Sequence, residues 1–286
     1  MYFVKRIYHD FMRFVDRNPI YLACSVVYYL VMVWLFGWKG QGFFTFAIIY
    51  ILSLFVAFSP LGEKLLRLFN HIRRLESARE KEYLRPLFQE VYKKAQRKNP
   101  ELPEIDLYII DSMIVNSCAI GKHTVAVTKG AMHTFSEAEL KAVLAHEIAH
   151  ILNMDTAALI YAMVGNGIFS AIILVFKMIC WLISLLWNGR AKRGFIERMA
   201  DRIVFVFMFL MTMAMAASDR KAEHRADVYT IKLGYGEDMV EALYLLEKIN
   251  LSPDKTITEK LQASHPRITA RLEYLEQRLG IQKVVE

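Results

Sequence analysis

His146-Glu147-Ile148-Ala149-His150 lies near the middle of a chain of 286 residues, and its reading decides the rest. On a helix, histidines four positions apart lie on one face and one turn apart. Their imidazole nitrogens can then grip a single zinc ion. Glu147 stands beside them, where a carboxylate can take a proton from an attacking water. The local sequence supplies the helix. Ser136 followed by Glu139 is a capping box, in which hydroxyl and carboxylate satisfy open backbone donors at a helix start. Leu140, Val143, Leu144 and Ile148 recur at helical spacing, so the motif falls about three turns into a well-started helix.

A catalytic zinc keeps three protein ligands and leaves one position open. The extended motif with a further histidine is absent: Asn153 stands where it needs glycine, and Thr156 where it needs histidine. The other common solution is a glutamate on a later helix. Lys221-Ala222-Glu223-His224-Arg225-Ala226-Asp227 offers one. Glu223 is assigned as third ligand. Asp227, four residues on and on the same face, is the acceptor that fixes a ligand histidine's tautomer. An acidic pair on a solvated helix would have the same spacing. His224 is a rival ligand, but it projects about 100° around the helix from Glu223.

The chain is 55% hydrophobic, and the excess is gathered in blocks. Asn18 to Trp38, Gly40 to Gly62 and Thr156 to Phe176 carry no charge, and each is long enough to cross a bilayer as a helix. Met178 to Gly189 extends the third block beyond Lys177. Ile203 to Ser218 is shorter, at about 24 Å of helix, and suits a thin bilayer with Arg202 and Asp219 snorkelling at its ends. The charged lead, Met1 to Arg17, is too long for a cleavable signal, and no small-residue cleavage site follows the first block. The first two blocks read as a hairpin turning near Lys39 to Gly42. Lys5, Arg6, Arg13 and Arg17 precede it, and Lys64, Arg67, Arg73 and Arg74 follow, which places both ends in the cytoplasm.

The metal constrains what lies between its ligands. Because His150 and Glu223 must meet, the apolar stretch separating them crosses the membrane an even number of times. The expectation is a second hairpin, although its far loop carries Arg190, Lys192, Arg193, Arg198 and Arg202 against the charge rule. The net charge of +7 does not point to nucleic acid, because most cations flank apolar blocks and no nucleic-acid motif occurs. Cys24, Cys118 and Cys180 have no paired spacing, which fits a reducing cytoplasm.

Ser77 to Lys98 reads as an amphipathic helix with Leu84, Leu87, Val91 and Tyr92 inward, ended by Asn99-Pro100. Ile105 to Ile110, Ile114 to Ile120 and Thr124 to Val127 read as short strands, with a turn at Gly121-Lys122-His123. Gly234 caps the helix carrying Glu223, Asp238 to Ile249 forms another, and His265-Pro266 opens a last helix running to Leu279.

Taken in order, the strand from Asn116 to Gly121, the 146–150 motif, the Glu223 and Asp227 pair, and His265-Pro266 with Arg271 resemble the HtpX-type membrane zinc metalloproteases, over nearly the whole chain. That family is related to CAAX prenyl proteases. The resemblance implies a mainly α integral membrane protein with a small β-sheet. A zincin-like (gluzincin) domain is interleaved with about four transmembrane helices. Residues 1–62 would form the first membrane hairpin and 63–155 the first catalytic part. Residues 156–218 would form the second hairpin and 219–286 the second catalytic part. One zinc is expected per chain, with the site facing the cytoplasm of a bacterial inner membrane and acting on misfolded or damaged membrane proteins. The resemblance also implies oxyanion stabilisation by His265, an anchoring role for Arg271 on Asp227 or the strand, and substrate pairing along Asn116, Ser117, Cys118, Ala119 and Ile120. Two positions depart from the family: Asn116-Ser117 replaces Asn-Ala, and Arg267 replaces a second proline.

Three rivals have testable marks. An intramembrane protease would bury the motif inside a span and carry a second aspartate motif. A prenyl-peptide protease needs a large chamber, for which the apolar blocks leave little room. A non-catalytic scaffold would close the fourth position of its zinc.

Overall fold

The computed structural model describes residues 12–16, 19–32, 59–156, 220–250 and 268–281, with isolated positions at 44, 48 and 52. The chain divides into two compact units, Met1–Ser59 with Ala158–Asp219, and Pro60–Ala157 with Arg220–Glu286. In the first, the principal described element is α1 (Pro19–Met32), whose Val26, Val27 and Leu30 are exposed. No helix among the described residues is long and apolar enough to cross a membrane. The second expected hairpin, and most of the first, lie outside the described residues.

The second unit begins with α2 (Pro60–Phe69), followed by β1 (Ile72–Arg74) and α3 (Ala78–Lys98). Ser77 starts α3 through a capping box: its hydroxyl accepts the Glu80 N–H, and the Glu80 carboxylate accepts the Ser77 N–H. Leu84, Leu87, Phe88, Val91 and Ala95 form the buried stripe. Tyr92, expected inward, sits at the rim with its hydroxyl donating to the Pro103 carbonyl, because a phenol needs a partner when half-buried.

The sheet continues with β2 (Asp106–Ile110), β3 (Ser117–Ile120) and β4 (Thr124–Thr128), in the order β1-β2-β4-β3. β2 and β4 are parallel, and the other pairs are antiparallel. β4 is buried along its whole length. β3 is an edge strand. Its ladder starts later than the apolar run from Ile114 implies, because Thr128 interrupts it. The Thr128 hydroxyl takes the Asn116 N–H at 3.1 Å, where a strand would offer a carbonyl. The same hydroxyl accepts the Ala131 N–H and so caps α4 (Lys129–Thr134).

β1 has no apolar alternation, since two of its three residues are arginines that read in sequence as part of a basic flank. Arg73 instead binds Glu80 and Asp111 at 2.6–3.1 Å, and Arg67 pairs with the buried Glu63. Glu63 also accepts the Thr124 hydroxyl and the Lys122 N–H, which docks α2 on the β3–β4 turn. Gly121 makes that turn at φ +61°, and a Cβ there would collide with the Glu63 carboxylate.

α5 (Glu137–Leu152) carries the motif. Its capping box forms as the sequence implies, with the Ser136 N–H to Glu139 at 2.7 Å. From Ala142 to Ile151 every residue is buried, so α5 is the central helix, packed on α3, β3 and β4. Residues 220–233 form α6, which stops at Gly234 with φ +76°. The Tyr235 N–H reaches the Thr230 carbonyl and the Gly234 N–H reaches Ile231, a Schellman ending. α7 (Gly236–Asn250) begins two residues earlier than expected, and α8 (Ile268–Leu279) packs against it.

Candidate metal centre

The buried part of α5 presents His146 and His150 on one face, with ring centroids 4.7 Å apart and ring planes at 87°. Their Nε2 atoms approach to 3.1 Å. α6 brings Glu223 to the same point: its carboxylate lies 3.3 Å from His146 Nε2 and 3.5 Å from His150 Nε2. One ligand atom from each residue falls within 4.8 Å of the others. Sequence reasoning selected these three, and the fold brings them together.

The chemistry of the donors asks for a cation. Nδ1 of each histidine faces a carboxylate, Asp227 for His146 and Asp155 for His150, both at 3.1 Å. Such contacts place the ring proton on Nδ1 and turn both Nε2 lone pairs toward Glu223. Two lone pairs and an anion then converge in a buried space, an arrangement that a divalent ion stabilises. The local field has the same sign. Burial works to lower the His150 pKa, but hydrogen bonds to Asp155 and Glu223, with the charges of Glu223 and Glu147, lift it to about 10. The donor set of two imidazoles and one carboxylate fits zinc with a further position available.

Around the ligands, Arg271 from α8 binds Asp227 through Nε at 2.9 Å and Nη2 at 2.7 Å, and reaches Glu223 at 3.0 Å through Nη1. Burial works to raise the Asp227 pKa, but the Arg271 charge and the His146 contact hold it down to about 2. Glu147 is buried and accepts the Ser117 hydroxyl at 2.6 Å. Burial, helped by Glu147, pushes the Cys118 thiol up to about 12, which favours the neutral thiol over the thiolate. His224, the rival ligand, packs its ring on Tyr274 with centroids 4.6 Å apart. Asn116, Ser117, Cys118, Ala119 and Ile120 run along the sheet edge beside α5, and β3 contacts α5 through the Ser117 to Glu147 bond. His265 lies outside the described residues.

Sequence reasoning missed Asp155 and its partner Arg225, which meet at 2.8 Å. Helical periodicity could not find Asp155, because it follows the helix end by a left-handed residue, Met154 at φ +63°.

A buried ion site built from two histidines one helical turn apart and a glutamate from a later helix, with an acid next to the first histidine, defines a zinc metallopeptidase. The family model of Peptidase family M48 matches residues 78–279, and the chain belongs to that family. It is 29% identical to Protease HtpX of Psychrobacter sp. (strain PRwf-1) over 217 residues, which covers 66% of this chain and 69% of that protein. It is 30% identical to Protease HtpX of Shewanella pealeana over 212 residues, covering 66% of this chain and 72% of that one. Among solved structures, S. mikatae Ste24p has a similar fold, with a TM-score of 0.52 at 20% identity. That likeness covers 96% of this chain and 65% of the other.

Proposed function

We propose that the protein is a membrane-bound zinc endopeptidase that cleaves misfolded or damaged membrane proteins at the cytoplasmic face of a bacterial inner membrane, as part of stress response and protein quality control. The observation that carries the proposal is the joint placement of the zinc site, the buried Glu147 and an edge strand. Apolar hairpins at 1–62 and 156–218 would hold catalytic parts at 63–155 and 219–286 against the bilayer. The uncharged blocks support that arrangement, together with the similarity to the HtpX proteases.

His146, His150 and Glu223 would hold a zinc ion, which would supply Lewis acidity to the scissile carbonyl and to water. Glu147 takes the proton of the attacking water and delivers it to the leaving amine. Ser117 holds one carboxylate oxygen of Glu147 and thereby limits its rotation. Asp227 fixes the His146 tautomer, and Arg271 holds Asp227 in place. His265 is assigned to the oxyanion on the resemblance alone.

β3 offers the substrate a backbone partner. The Asn116 N–H and carbonyl both turn to Thr128 on β4. Alternation along the strand then turns Cys118 and Ile120 inward, and the Ser117 and Ala119 backbone groups toward the free edge. An extended peptide would add there by main-chain hydrogen bonds, which tolerate varied sequences. Such tolerance suits a quality-control protease better than a prenyl-peptide protease.

The test is casein digestion by the purified protein in detergent, with and without chelator, beside Glu147→Gln. Chelator-sensitive digestion by the parent, and none by a Glu147→Gln variant that keeps its zinc, is the expected result. Undiminished digestion by that variant removes Glu147 as the base. No digestion by the zinc-loaded parent refutes the endopeptidase reading.

A further inference from the structure

Both zinc-binding histidines have a carboxylate on Nδ1, but only one of those carboxylates shares an unbroken helix with a metal ligand. Asp227 sits within α6, one turn after Glu223. Asp155 lies past the two-residue turn that ends α5, at the start of the next helical turn. To reach His150 the chain leaves the helix at Asn153 and bends through Met154 at φ +63°. A non-glycine side chain in that region costs on the order of 1 kcal/mol or more and persists where the surroundings fix it. Met154 is buried, with 5% of its surface exposed. The bend is closed by two bonds. Asp155 Oδ2 lies 3.1 Å from His150 Nδ1, and the Thr156 hydroxyl donates to the Gly121 carbonyl at the β3–β4 turn. The other Asp155 oxygen accepts from Arg225 Nη2 at 2.8 Å.

Arg225 stands two residues after Glu223 on α6. The Asp155–Arg225 pair thus joins the α5 side of the zinc site to the α6 side, at the two ends of the intervening segment. We infer that Asp155 is a positioning residue for the metal: it fixes the tautomer and ring plane of His150, and Arg225 holds it in register with the helix that delivers Glu223. The strained bend at Met154 is what brings the carboxylate to Nδ1 of the ring. Arg225 acts through Asp155.

The role predicts an effect on metal affinity that a merely structural turn would not have. Zinc dissociation constants are measured on the full chain in detergent by competition with a chromophoric chelator. The parent and the variants Asp155→Ala, Asp155→Asn, Asp155→Glu, Arg225→Ala and Asp155→Ala/Arg225→Ala are compared. Loss of a carboxylate behind a ligand histidine weakens zinc by about 10–100-fold, and Asp155→Ala is expected in that range. Asp155→Asn keeps the side-chain shape and a hydrogen-bond acceptor, and is expected at the lower end. Asp155→Glu, which keeps the charge, is expected to recover part of the loss. Arg225→Ala is expected to weaken zinc less than Asp155→Ala, and to add nothing when Asp155 is already alanine. The metal-free unfolding temperature of Asp155→Asn serves as the folding control. A zinc constant within twofold of the parent for Asp155→Asn and Asp155→Ala overturns the inference. So does a double variant whose loss is the product of the single losses.

Discussion

The two histidine ligands are held by clamps of the same chemistry at different depths. His146 leans on Asp227, which is held by Arg271, and both are buried, with side-chain exposures of 0% and 4%. His150 leans on Asp155, held by Arg225, whose side chain is 40% exposed. The imidazole-to-carboxylate distance is 3.1 Å in both. The contact behind each ring is therefore equal in length, but the energetics are not. In the inner clamp a missing partner leaves a charge in a space that water cannot reach. In the outer clamp, water can replace the guanidinium. The inner clamp is part of the core, and the outer one positions its histidine with little effect on folding.

Removal of Arg271 should break this symmetry most severely. It strands Asp227 and Glu223, two anions that the guanidinium neutralises at 2.7 and 3.0 Å. Breaking a buried pair from one side costs about 3–5 kcal/mol. Arg271→Ala is expected to lose that much stability in chemical unfolding of the metal-free chain, and to fail to retain zinc. A loss below about 1 kcal/mol would mean that the inner clamp is as solvated as the outer one, and the contrast between them would disappear.

A third guanidinium–carboxylate set, away from the metal, shows what such pairs do without a ligand to position. Arg73 binds Glu80 and Asp111, and Lys129 adds to Asp111. The hydrogen bond from Arg73 outweighs burial and lowers the Glu80 pKa from 4.5 to about 2, with further help from the Glu76 and Ser77 N–H groups. Because the folded value is depressed, the stabilisation is complete above about pH 4.5. It is lost as pH falls toward 2, where Glu80 protonates in the folded state as well. Glu80→Gln should flatten the stability profile of the metal-free chain between those values and leave zinc affinity unchanged. An unchanged acid slope would show that Glu80 is not held as the structure places it.

Most of what surrounds the inner clamp was legible in sequence, and most of what surrounds the outer one was not. His146, His150, Glu223 and Asp227 lie at helical spacing on helices with clear starts and stops, Ser136 with Glu139 for α5 and Gly234 for α6. Periodicity places such residues on faces without knowledge of the fold. Arg271 was reached only through the family pattern, since nothing in α8 itself distinguishes it from other arginines on a helix. Asp155 depends on a left-handed bend at Met154, a residue type that gives no sign of it. β1 was missed for a related reason: its arginines read as a basic flank, and only the three-dimensional placement of Glu80 and Asp111 shows why they sit in a strand. The late start of β3 at Ser117 depends on the Thr128 hydroxyl. It competes with the backbone ladder at a position where the apolar run from Ile114 suggests continuation.

Arg225→Ala is the smallest and sharpest of these tests. Its ion pair with Asp155 is partly exposed, and exposed pairs contribute about 0–1 kcal/mol. The folding stability of the metal-free chain should therefore move by less than that, in contrast to Arg271→Ala. If the outer clamp acts on the ligand alone, the same substitution still lowers zinc affinity, because Asp155 loses the group that holds it beneath His150. Lysine at position 225 keeps the charge without the planar fork that orients the carboxylate, and should recover zinc affinity only in part. A change of several kcal/mol in the metal-free protein would place Arg225 with Arg271 in the core of the fold. The two clamps would then differ in exposure but not in function.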